Sequence, residues 1–300
     1  MIHPMLDKAA ALIREGRLVA FPTETVYGLG ANALDPDAVR RIFEAKGRPS
    51  SSPLIVHVSS VAMARALAAE WPEQAEILAA RHWPGPLTLV LPKQPQIPAE
   101  VTAGLPTVGL RMPAHPLALA LIEAAGCPIA APSANRFTEL SPTTAEHVRR
   151  SLGSAVDLIL DGGSTPVGIE STVLALTPRP LLLRPGMIGQ DEIEALIGPV
   201  ATFSSPIAGA HPAPGLHARH YSPRTPLILV RNGLLPAAGR GAYLKEGEAM
   251  PSEPAAYAAA LYSTLHRLDE EGYDWIAVEE PPETPAWTGI RDRLRRAATP

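Results

Sequence analysis

Alternation of apolar runs with helical patterns is the feature that most constrains how the first two hundred residues can fold. The apolar runs read as strands, and they lie at 18–21, 53–58, 86–91, 107–111, 157–161, 171–176 and 180–184. Helical patterns lie between or beside them, at 4–15, 36–46, 115–126 and 191–197. Strands and helices in such an order pack as layers. The sequence therefore predicts an α/β fold, a twisted mixed sheet with flanking helices.

Two of the helix starts carry capping signals. Asp35 precedes Pro36, which pairs an N-cap residue with a first-turn proline, and Gly47 marks the end of the same helix. Ser141 followed by Pro142 predicts the start of another helix. Because the first N–H groups of a helix have no partner within it, the second start is also a candidate phosphate site.

A change of composition separates a second, smaller unit. The segment from 203 to 224 is rich in Pro, Gly, His and Ser, which indicates a linker. Strand patterns follow at 227–230 and 275–278, with a helix at 253–271 between them and a basic helix, IRDRLRRAA, near the end. The predicted parts are a first domain, a linker and a C-terminal α/β open-sheet domain, at 1–202, 203–224 and 225–300.

Composition narrows the class of protein. The 300 residues are 46% hydrophobic and 19% charged, with a net charge of −4, so no general basic field attracts nucleic acid. We find no apolar run of the ~18 residues that a membrane-spanning helix needs. The single cysteine, Cys127, excludes an internal disulfide and is typical of a reducing compartment. These features predict a cytoplasmic protein with no membrane partner.

Basic residues at the ends of elements are candidates for anion binding. Lys46 and Arg48 follow a helix and stand just before three serines, 50–52, a cluster suited to polyphosphate. The same two cations could instead complement the helix dipole. Arg111 and Arg184 each end an apolar strand, where ligands of α/β sheets tend to bind, although either could form a surface ion pair.

Three weaker patterns leave alternatives open. Residues 28–33, GLGANA, match a dinucleotide fingerprint, but the helix signal begins too late, so a turn is the favoured interpretation. Ser133 and Asn135 follow a short apolar strand and could form a turn or line a site. His217 and His220 lie three residues apart without a nearby ligand cluster, so we predict no metal site formed by the protein.

The order and wording of seven motifs resemble the YrdC/Sua5 family. They are PTETVYGLG (22–30), KGRPSSSPLIVHV (46–58), WPGPLTLVL (83–91), VGLRMPAHP (108–116), APSANRFTELSPT (131–143), GIESTVLAL (168–176) and LLRPGMIG (182–189). The linker APGLHARHYSP (213–223) and the tail resemble the longer, two-domain Sua5 form. The resemblance covers nearly the whole chain and implies a YrdC-like first domain.

The resemblance also implies an activity. Members of this family make L-threonylcarbamoyladenylate from L-threonine, bicarbonate and ATP, releasing pyrophosphate, for the modification of adenosine 37 in tRNA. This implies a nucleotidyltransferase whose Mg²⁺ is held mainly by the ATP phosphates. It also implies handover of the adenylate to a tRNA threonylcarbamoyltransferase complex, and possible contact with tRNA.

Site residues follow from the resemblance by motif position. Those implied for ATP are Lys46, Arg48, Ser52, Thr107, Ser133, Asn135, Ser141, Arg184 and Tyr221. Those implied for threonine are Thr25, His57, Arg111, Ala131 and Ser171. Lys46 and Arg48 are expected to be catalytic by facing the phosphates, Arg111 to pair with the threonine carboxylate, and Tyr221 to fold over the nucleotide as part of a lid.

Three other classes of protein compete with this interpretation. A module that binds double-stranded RNA or tRNA without catalysis would use the same cations. Carbamoyl transfer in hydrogenase maturation involves similar domains, but those proteins add zinc-finger cysteines, and this chain has one cysteine. A purely structural role leaves the cations at the strand ends unexplained.

Overall fold

The first unit is built on a mixed sheet with helices on both faces, as predicted. The computed structural model describes residues 4–203 and 220–299. Within them the strands of this sheet are β1 (Val19–Phe21), β2 (Gly28–Asn32), β3 (Ile55–His57), β4 (Leu87–Pro92), β5 (Thr107–Arg111), β6 (Ile129–Ala130), β7 (Leu158–Ile159), β8 (Thr172–Ala175), β9 (Leu181–Arg184) and β10 (Ala201–Thr202). Their order is β10-β9-β8-β4-β5-β3-β6-β2-β1-β7. β3 pairs with β5 in parallel and with β6 antiparallel, so the sheet is mixed at its centre.

Helices cover the two faces of this sheet. They are α1 (Leu6–Arg14), α2 (Pro36–Lys46), α3 (Val61–Leu67), α4 (Glu73–His82), α5 (Ala99–Thr102), α6 (Pro116–Ala125), α7 (Ala145–Leu152) and α8 (Gln190–Ile197). Val19 and Phe21 of β1 are buried in a cluster with α1 and α6. Ala20, between them, belongs to the cluster that contains Val39 of α2. Because neighbouring side chains on a strand point to opposite faces, the two clusters lie on opposite sides of the sheet.

The C-terminal unit is a small α/β sheet of parallel strands. Its elements are β11 (Leu227–Val230), β12 (Gly241–Leu244), α9 (Pro254–Glu270), β13 (Trp275–Glu279) and α10 (Thr288–Ala297). The strands are ordered β11-β13-β12. The strand patterns at 227–230 and 275–278 and the apolar face of the helix at 253–271 are confirmed, whereas β12 was not predicted. The linker prediction, including His217, falls largely outside the described residues, so its bounds stay a prediction.

The caps of α2 agree with the sequence. The Asp35 carboxylate accepts hydrogen bonds from the backbone N–H groups of Asp37 (2.9 Å) and Ala38 (3.2 Å). Gly47 ends the helix with a φ of 61°, in the left-handed region that glycine adopts without a steric penalty. The helix ends at Lys46, whose ammonium donates to the carbonyls of Ser133 and Asn135 in the loop after β6.

The turn favoured for residues 28–33 is wrong. Residues 28–32 form β2, which pairs antiparallel with both β1 and β6. Glycine is needed at position 30 because a Cβ there would lie 2.7 Å from Cε1 of Phe21 and 2.8 Å from Cγ2 of Ile129. The glycines therefore serve close packing against neighbouring strands, and no helix opens on them as a dinucleotide site would require.

The predicted helix start at Ser141 is also wrong. α7 begins at Ala145, and its cap is Thr144, whose side-chain oxygen accepts a hydrogen bond from the N–H of His147 at 3.2 Å. Ser141 lies in the preceding loop, and its hydroxyl donates to the carboxylate of Glu170 at 2.5 Å. Ser141 therefore binds a residue that is distant in the sequence and does not cap a helix, and no local sequence pattern indicates such a contact.

Among residues 4–203 and 220–299, no helix is long and apolar enough to cross a membrane.

Candidate functional site

A cavity of about 50 Å³ lies where several strands of the large sheet end. His57 and Arg111 are the last residues of β3 and β5, which run in parallel, and Arg184 is the last residue of β9. Ala131 directly follows β6. The lining residues are Thr23, Thr25, Val26, Gly28, Arg48, Ile55, His57, Arg111, Ala131, Pro132, Ser133, Glu170, Arg184, His220 and Tyr221. The strand ends therefore do converge, as the anion-site prediction assumed.

Arg111 is held by acceptors on two sides. Its Nη2 lies 2.8 Å from Oε1 of Glu24 and donates to the hydroxyl of Thr25 at 2.9 Å. Its Nε donates to the carbonyl of Gly85 at 3.3 Å. Glu24 is fixed in turn by the N–H of Ala114, which donates to Oε2 at 2.9 Å. These contacts fix the orientation of the guanidinium, and Nη1 takes no part in them. A guanidinium fixed in this way can receive a carboxylate from a set direction.

Arg48 lies in the cavity wall, whereas Lys46 lies behind it. The Arg48 guanidinium donates to the hydroxyl of Ser52 and to the carbonyl of Pro53, the latter at 3.2 Å. Burial and the nearby charge of Arg184 lower the pKa of Arg48 to about 10. The Lys46 ammonium donates to the carbonyls of Ser133, at 2.6 Å, and Asn135.

The environment of Lys46 disfavours its charge. Burial, and after it the positive charge of Arg48, hold the pKa of Lys46 well below its usual value, while Glu139 opposes them. Its two hydrogen bonds go to the carbonyls of Ser133 and Asn135, and neither goes to a carboxylate. Such a group gains most from an anion entering nearby, because an added negative charge offsets the desolvation of a buried cation.

His57 is neutral near physiological pH. Burial, and secondarily the charge of Arg111, lower its pKa to about 3. Its ring lies edge-on to Phe21, with 6.0 Å between the ring centroids. A histidine with so low a pKa contributes shape and hydrogen bonding to the cavity, and it is a poor proton acceptor at neutral pH.

Arg184 is anchored to the start of β8. Its Nε and Nη2 donate to the carbonyl of Ser171, at 3.1 and 3.0 Å, and Nη2 also contacts the Ser171 hydroxyl at 3.1 Å. That hydroxyl lies 2.8 Å from the hydroxyl of Thr88 on β4. Burial lowers the pKa of Arg184. Three buried arginines, Arg48, Arg111 and Arg184, thus line one small cavity.

Glu170 joins this cavity to the C-terminal unit. Its carboxylate accepts from Nε of Arg293 on α10 at 2.7 Å and from the hydroxyl of Tyr262 on α9 at 3.2 Å. Burial acts to raise the pKa of Glu170, but the charges of Arg293 and Arg184 and the hydrogen bonds from Ser141 and Arg293 outweigh it and lower the pKa. The carboxylate is therefore ionised at neutral pH.

Tyr221 closes one side of the cavity. It is buried, and its backbone has a φ of 61°, in the left-handed region that is unusual for a tyrosine. Its ring lies 4.1 Å from His220 between centroids and 5.3 Å from the central carbon of the Arg293 guanidinium. The next residue, Ser222, donates its N–H to the carbonyl of Thr138 at 2.9 Å, which fastens the segment to the loop after β6.

The predicted site residues differ in their position relative to the cavity. Those that line the cavity are Thr25, Arg48, His57, Arg111, Ala131, Ser133, Arg184 and Tyr221. Those that touch a lining residue from behind are Lys46, Ser52, Ser141 and Ser171. Asn135 lies next in line, since its carbonyl accepts from Lys46. Thr107 stands apart, at the opposite end of β5 from Arg111.

Sequence reasoning did not assign a role to several lining residues. These are Thr23, Val26, Gly28, Ile55, Pro132, Glu170 and His220. All of them neighbour a predicted site residue or lie inside a quoted motif, so motif membership was the available signal. Glu170 stands in GIESTVLAL, but its partners, Arg293 and Tyr262, are far along the chain.

Comparison with known proteins relates both units of the chain to one family. The Sua5/YciO/YrdC profile, described as "Telomere recombination", matches residues 11–186. The profile described as "Threonylcarbamoyl-AMP synthase, C-terminal domain" matches residues 188–299. The threonylcarbamoyl-AMP synthase of Pyrococcus abyssi is 45% identical, covering 97% of this chain and 93% of that protein.

Two further comparisons agree. The threonylcarbamoyl-AMP synthase of Bacillus subtilis is 44% identical over 98% of this chain and 93% of its own length. A crystal structure of P. abyssi Sua5 complexed with L-threonine matches with a TM-score of 0.91 and 43% identity, covering 98% of this chain and 94% of that one. On matches that extend over almost its whole length, the chain belongs to the Sua5/YciO/YrdC family.

Proposed function

We propose that the chain is a threonylcarbamoyl-AMP synthase, an enzyme that makes L-threonylcarbamoyladenylate and pyrophosphate from L-threonine, bicarbonate and ATP. The observation that carries the proposal is the cavity wall of three buried arginines, Arg48, Arg111 and Arg184. Buried arginines are stabilised by anions, and both threonine and ATP are anionic at the groups to be held. The relatives named above point to the same reaction.

The threonine half of the site centres on Arg111. Its guanidinium is fixed by Glu24 and Thr25 and faces the cavity beside His57 and Ala131. In our proposal it pairs with the threonine carboxylate, and neutral His57 packs against the substrate without adding charge. Ser171 supports this half through Arg184, to which its carbonyl and hydroxyl are bonded.

The ATP half centres on Arg48, with Lys46 behind it. We propose that the phosphates contact Arg48 and approach Lys46, with Ser52, Ser133, Asn135, Ser141 and Arg184 completing this half. Thr107, at the far end of β5, fits this assignment least well. A cavity of about 50 Å³ is far smaller than the ~300 Å³ or more of typical ligand sites. In our proposal the Tyr221 side of the cavity opens to admit ATP.

The proposed reaction proceeds without a covalent enzyme intermediate. The threonine amine attacks the carbon of bicarbonate, water leaves, and a carbamate forms. A carbamate oxygen then attacks the α-phosphorus of ATP, and the bond to the bridging oxygen breaks with release of pyrophosphate. Arg48 and Lys46 contribute by binding the departing phosphates, since positioning and charge neutralisation carry such transfers.

Magnesium is proposed to arrive with ATP. Within the described parts of the chain, no group of three or more His, Cys, Asp or Glu side chains is arranged to hold a metal ion. Mg²⁺ commonly keeps several waters and binds substrate phosphates, and in our proposal it is held mainly by ATP. When bound, the ion would neutralise charge on the pyrophosphate group.

Pyrophosphate release tests the proposed function directly. We expect release from ATP and bicarbonate in the presence of L-threonine and Mg²⁺, and much less with serine or valine as matched amino-acid controls. Detection of the adenylate by mass spectrometry would identify the product. Absence of release with any amino acid, from folded protein, would overturn the proposal in favour of an RNA-binding module, whose RNA affinity should fall steeply with salt.

The proposed product is a labile mixed anhydride that another protein must consume. We propose handover to a tRNA threonylcarbamoyltransferase complex, with possible contact between this chain and tRNA. Closure of the cavity by Tyr221 would protect the adenylate from water until transfer.

A further inference from the structure

Arg293 is a fully buried arginine of the C-terminal unit that contacts the cavity wall of the first unit. It lies on α10, 123 residues after Glu170. Its side chain is 0% exposed, and it is among the largest fully buried side chains of the described residues. Arg293 lies outside the seven family motifs, and the proposed reaction does not use it.

The hydrogen bonds of Arg293 reach both strands of the antiparallel pair β8–β9 at one end, where β8 begins and β9 ends. Nε donates to the Glu170 carboxylate at 2.7 Å, and Nη2 donates to the Glu170 carbonyl at 3.1 Å. Nη1 donates to the carbonyl of Pro185 at 2.9 Å. Glu170 directly precedes Ser171, and Pro185 directly follows Arg184. One side chain therefore fixes the backbone beside two residues assigned to the site.

The same guanidinium borders a third part of the cavity. Its central carbon lies 5.3 Å from the ring centroid of Tyr221, within the range of a cation–π contact. Asp292 contacts Nη1 at 2.9 Å, so the charge of Arg293 is shared between two carboxylates. The guanidinium thus contacts the Glu170 carboxylate, the Pro185 carbonyl after β9 and the ring of Tyr221.

We infer that Arg293 is a positioning residue for the threonine site, acting from the C-terminal unit through Glu170, Ser171, Arg184 and Tyr221. The inference rests on the proposed function. It assigns the C-terminal unit a part in substrate binding: α10 holds the end of the large sheet in the form that accepts threonine. An arginine suits this task because its planar fork can satisfy several acceptors in fixed directions at once.

A merely stabilising role has to be separated from positioning. Replacing Arg293 alone leaves the buried Glu170 carboxylate without its main counter-charge. A buried charge without a partner destabilises the fold, whether or not Arg293 also positions the site. Replacing both partners removes that penalty. The useful comparison is therefore Glu170→Gln against the double variant Glu170→Gln/Arg293→Met, because only the second also removes the bonds to the Glu170 and Pro185 carbonyls.

The test is the dissociation constant for L-threonine, measured by calorimetry on the full chain with its Tm recorded alongside. We expect the double variant to bind threonine about tenfold more weakly than Glu170→Gln, the effect of losing hydrogen bonds from a charged donor. Arg293→Met alone should lower the Tm most. Arg295→Met, an exposed arginine on the same helix, is the control and should bind as the wild type does.

Each outcome decides between the two proposals. Equal threonine affinity in Glu170→Gln and the double variant, with wild-type binding intact, would overturn the positioning role and leave the proposed function standing. No threonine binding by the wild type and by Arg295→Met would overturn both. If Arg293→Met does not fold, the double variant still decides, because it contains no stranded carboxylate at position 170.

Discussion

Arg48 shows how burial prepares a residue for an anion. Its guanidinium contacts Ser52 and the Pro53 carbonyl, and its central carbon lies 6.0 Å from the centroid of the Phe137 ring. The pKa of Arg48, lowered to about 10 chiefly by burial, is still well above neutrality. A charge that is desolvated yet retained favours a ligand that supplies the missing negative charge.

Arg48→Met should reduce catalysis more than it affects folding. Losing a cation that binds the departing phosphates should cost at least about 2 kcal/mol of transition-state stabilisation, or roughly 30-fold in kcat/KM. Stability should change less, because methionine fills a similar volume without a buried charge. The measurement is steady-state pyrophosphate release, with urea unfolding alongside. The exposed Arg81→Met is the matched control, and near-normal turnover in Arg48→Met would contradict the role.

Charged residues that end a strand could be identified from the sequence as candidates for the site. Arg111 and Arg184 end strands and do meet at the cavity. Lys46 does not itself line the cavity, because its ammonium donates to the carbonyls of Ser133 and Asn135, and its contact with the phosphates stays a prediction. The Glu170–Arg293 pair was not foreseen, since an ion pair across 123 residues leaves no local pattern.

β2 shows why element prediction failed where packing decides. A run with two glycines lacks the β-branched and aromatic residues that mark strands, so it read as a turn. In the structure β2 lies between β1 and β6, and Gly30 allows Phe21 and Ile129 to approach the backbone. By contrast, the bounds of α2 were predictable because Asp35, Pro36 and Gly47 act within a few residues.

Gly30→Ala should destabilise the large sheet. The added methyl group would lie 2.7 Å from the ring of Phe21 and 2.8 Å from Ile129, both buried, so neighbouring side chains must shift. Overpacking of this kind typically costs about 1–3 kcal/mol. Gly109→Ala on β5 is the comparison, since its nearest contact would be 3.2 Å, to Thr88. Urea unfolding should give the larger loss for Gly30→Ala, and equal losses would contradict the packing explanation.

The two units meet through buried and exposed polar contacts as well as apolar ones. Besides the buried pair of Arg293 and Glu170, the exposed side chain of Arg150 on α7 pairs with that of Glu270 at the end of α9. Nearby, the rings of His147 on α7 and His266 on α9 stack with 3.8 Å between centroids. Nε2 of His266 lies 3.1 Å from the carbonyl of Ser141, the residue that also binds Glu170. The histidine stack is therefore next to the contacts that reach the cavity.

Because the histidine stack joins the two units, it should make the free energy of unfolding of the protein decrease at acid pH. Burial first, then the neighbouring His266 and Arg150, lower the pKa of His147 to about 4, and burial lowers the pKa of His266. An unfolded histidine titrates near pH ~6.5. Between these values the unfolded chain binds protons that the folded chain does not, so stability falls as pH drops from about 6.5 towards 4 and is unaffected by these groups above that range.

His147→Asn should weaken this pH dependence, because asparagine can accept the hydrogen bond from the N–H of Thr143 but does not titrate. Urea unfolding at pH 8, 7 and 5 measures it: the wild type should lose more stability between pH 7 and pH 5 than the variant does. Between pH 8 and pH 7 the stability of the two proteins should change in parallel, because histidine is mostly neutral there in the folded and in the unfolded chain. This interval is the internal control. Parallel behaviour down to pH 5 would mean that protonation of His147 is not opposed by folding, and the acid sensitivity of the interface would then have to come from His266 alone.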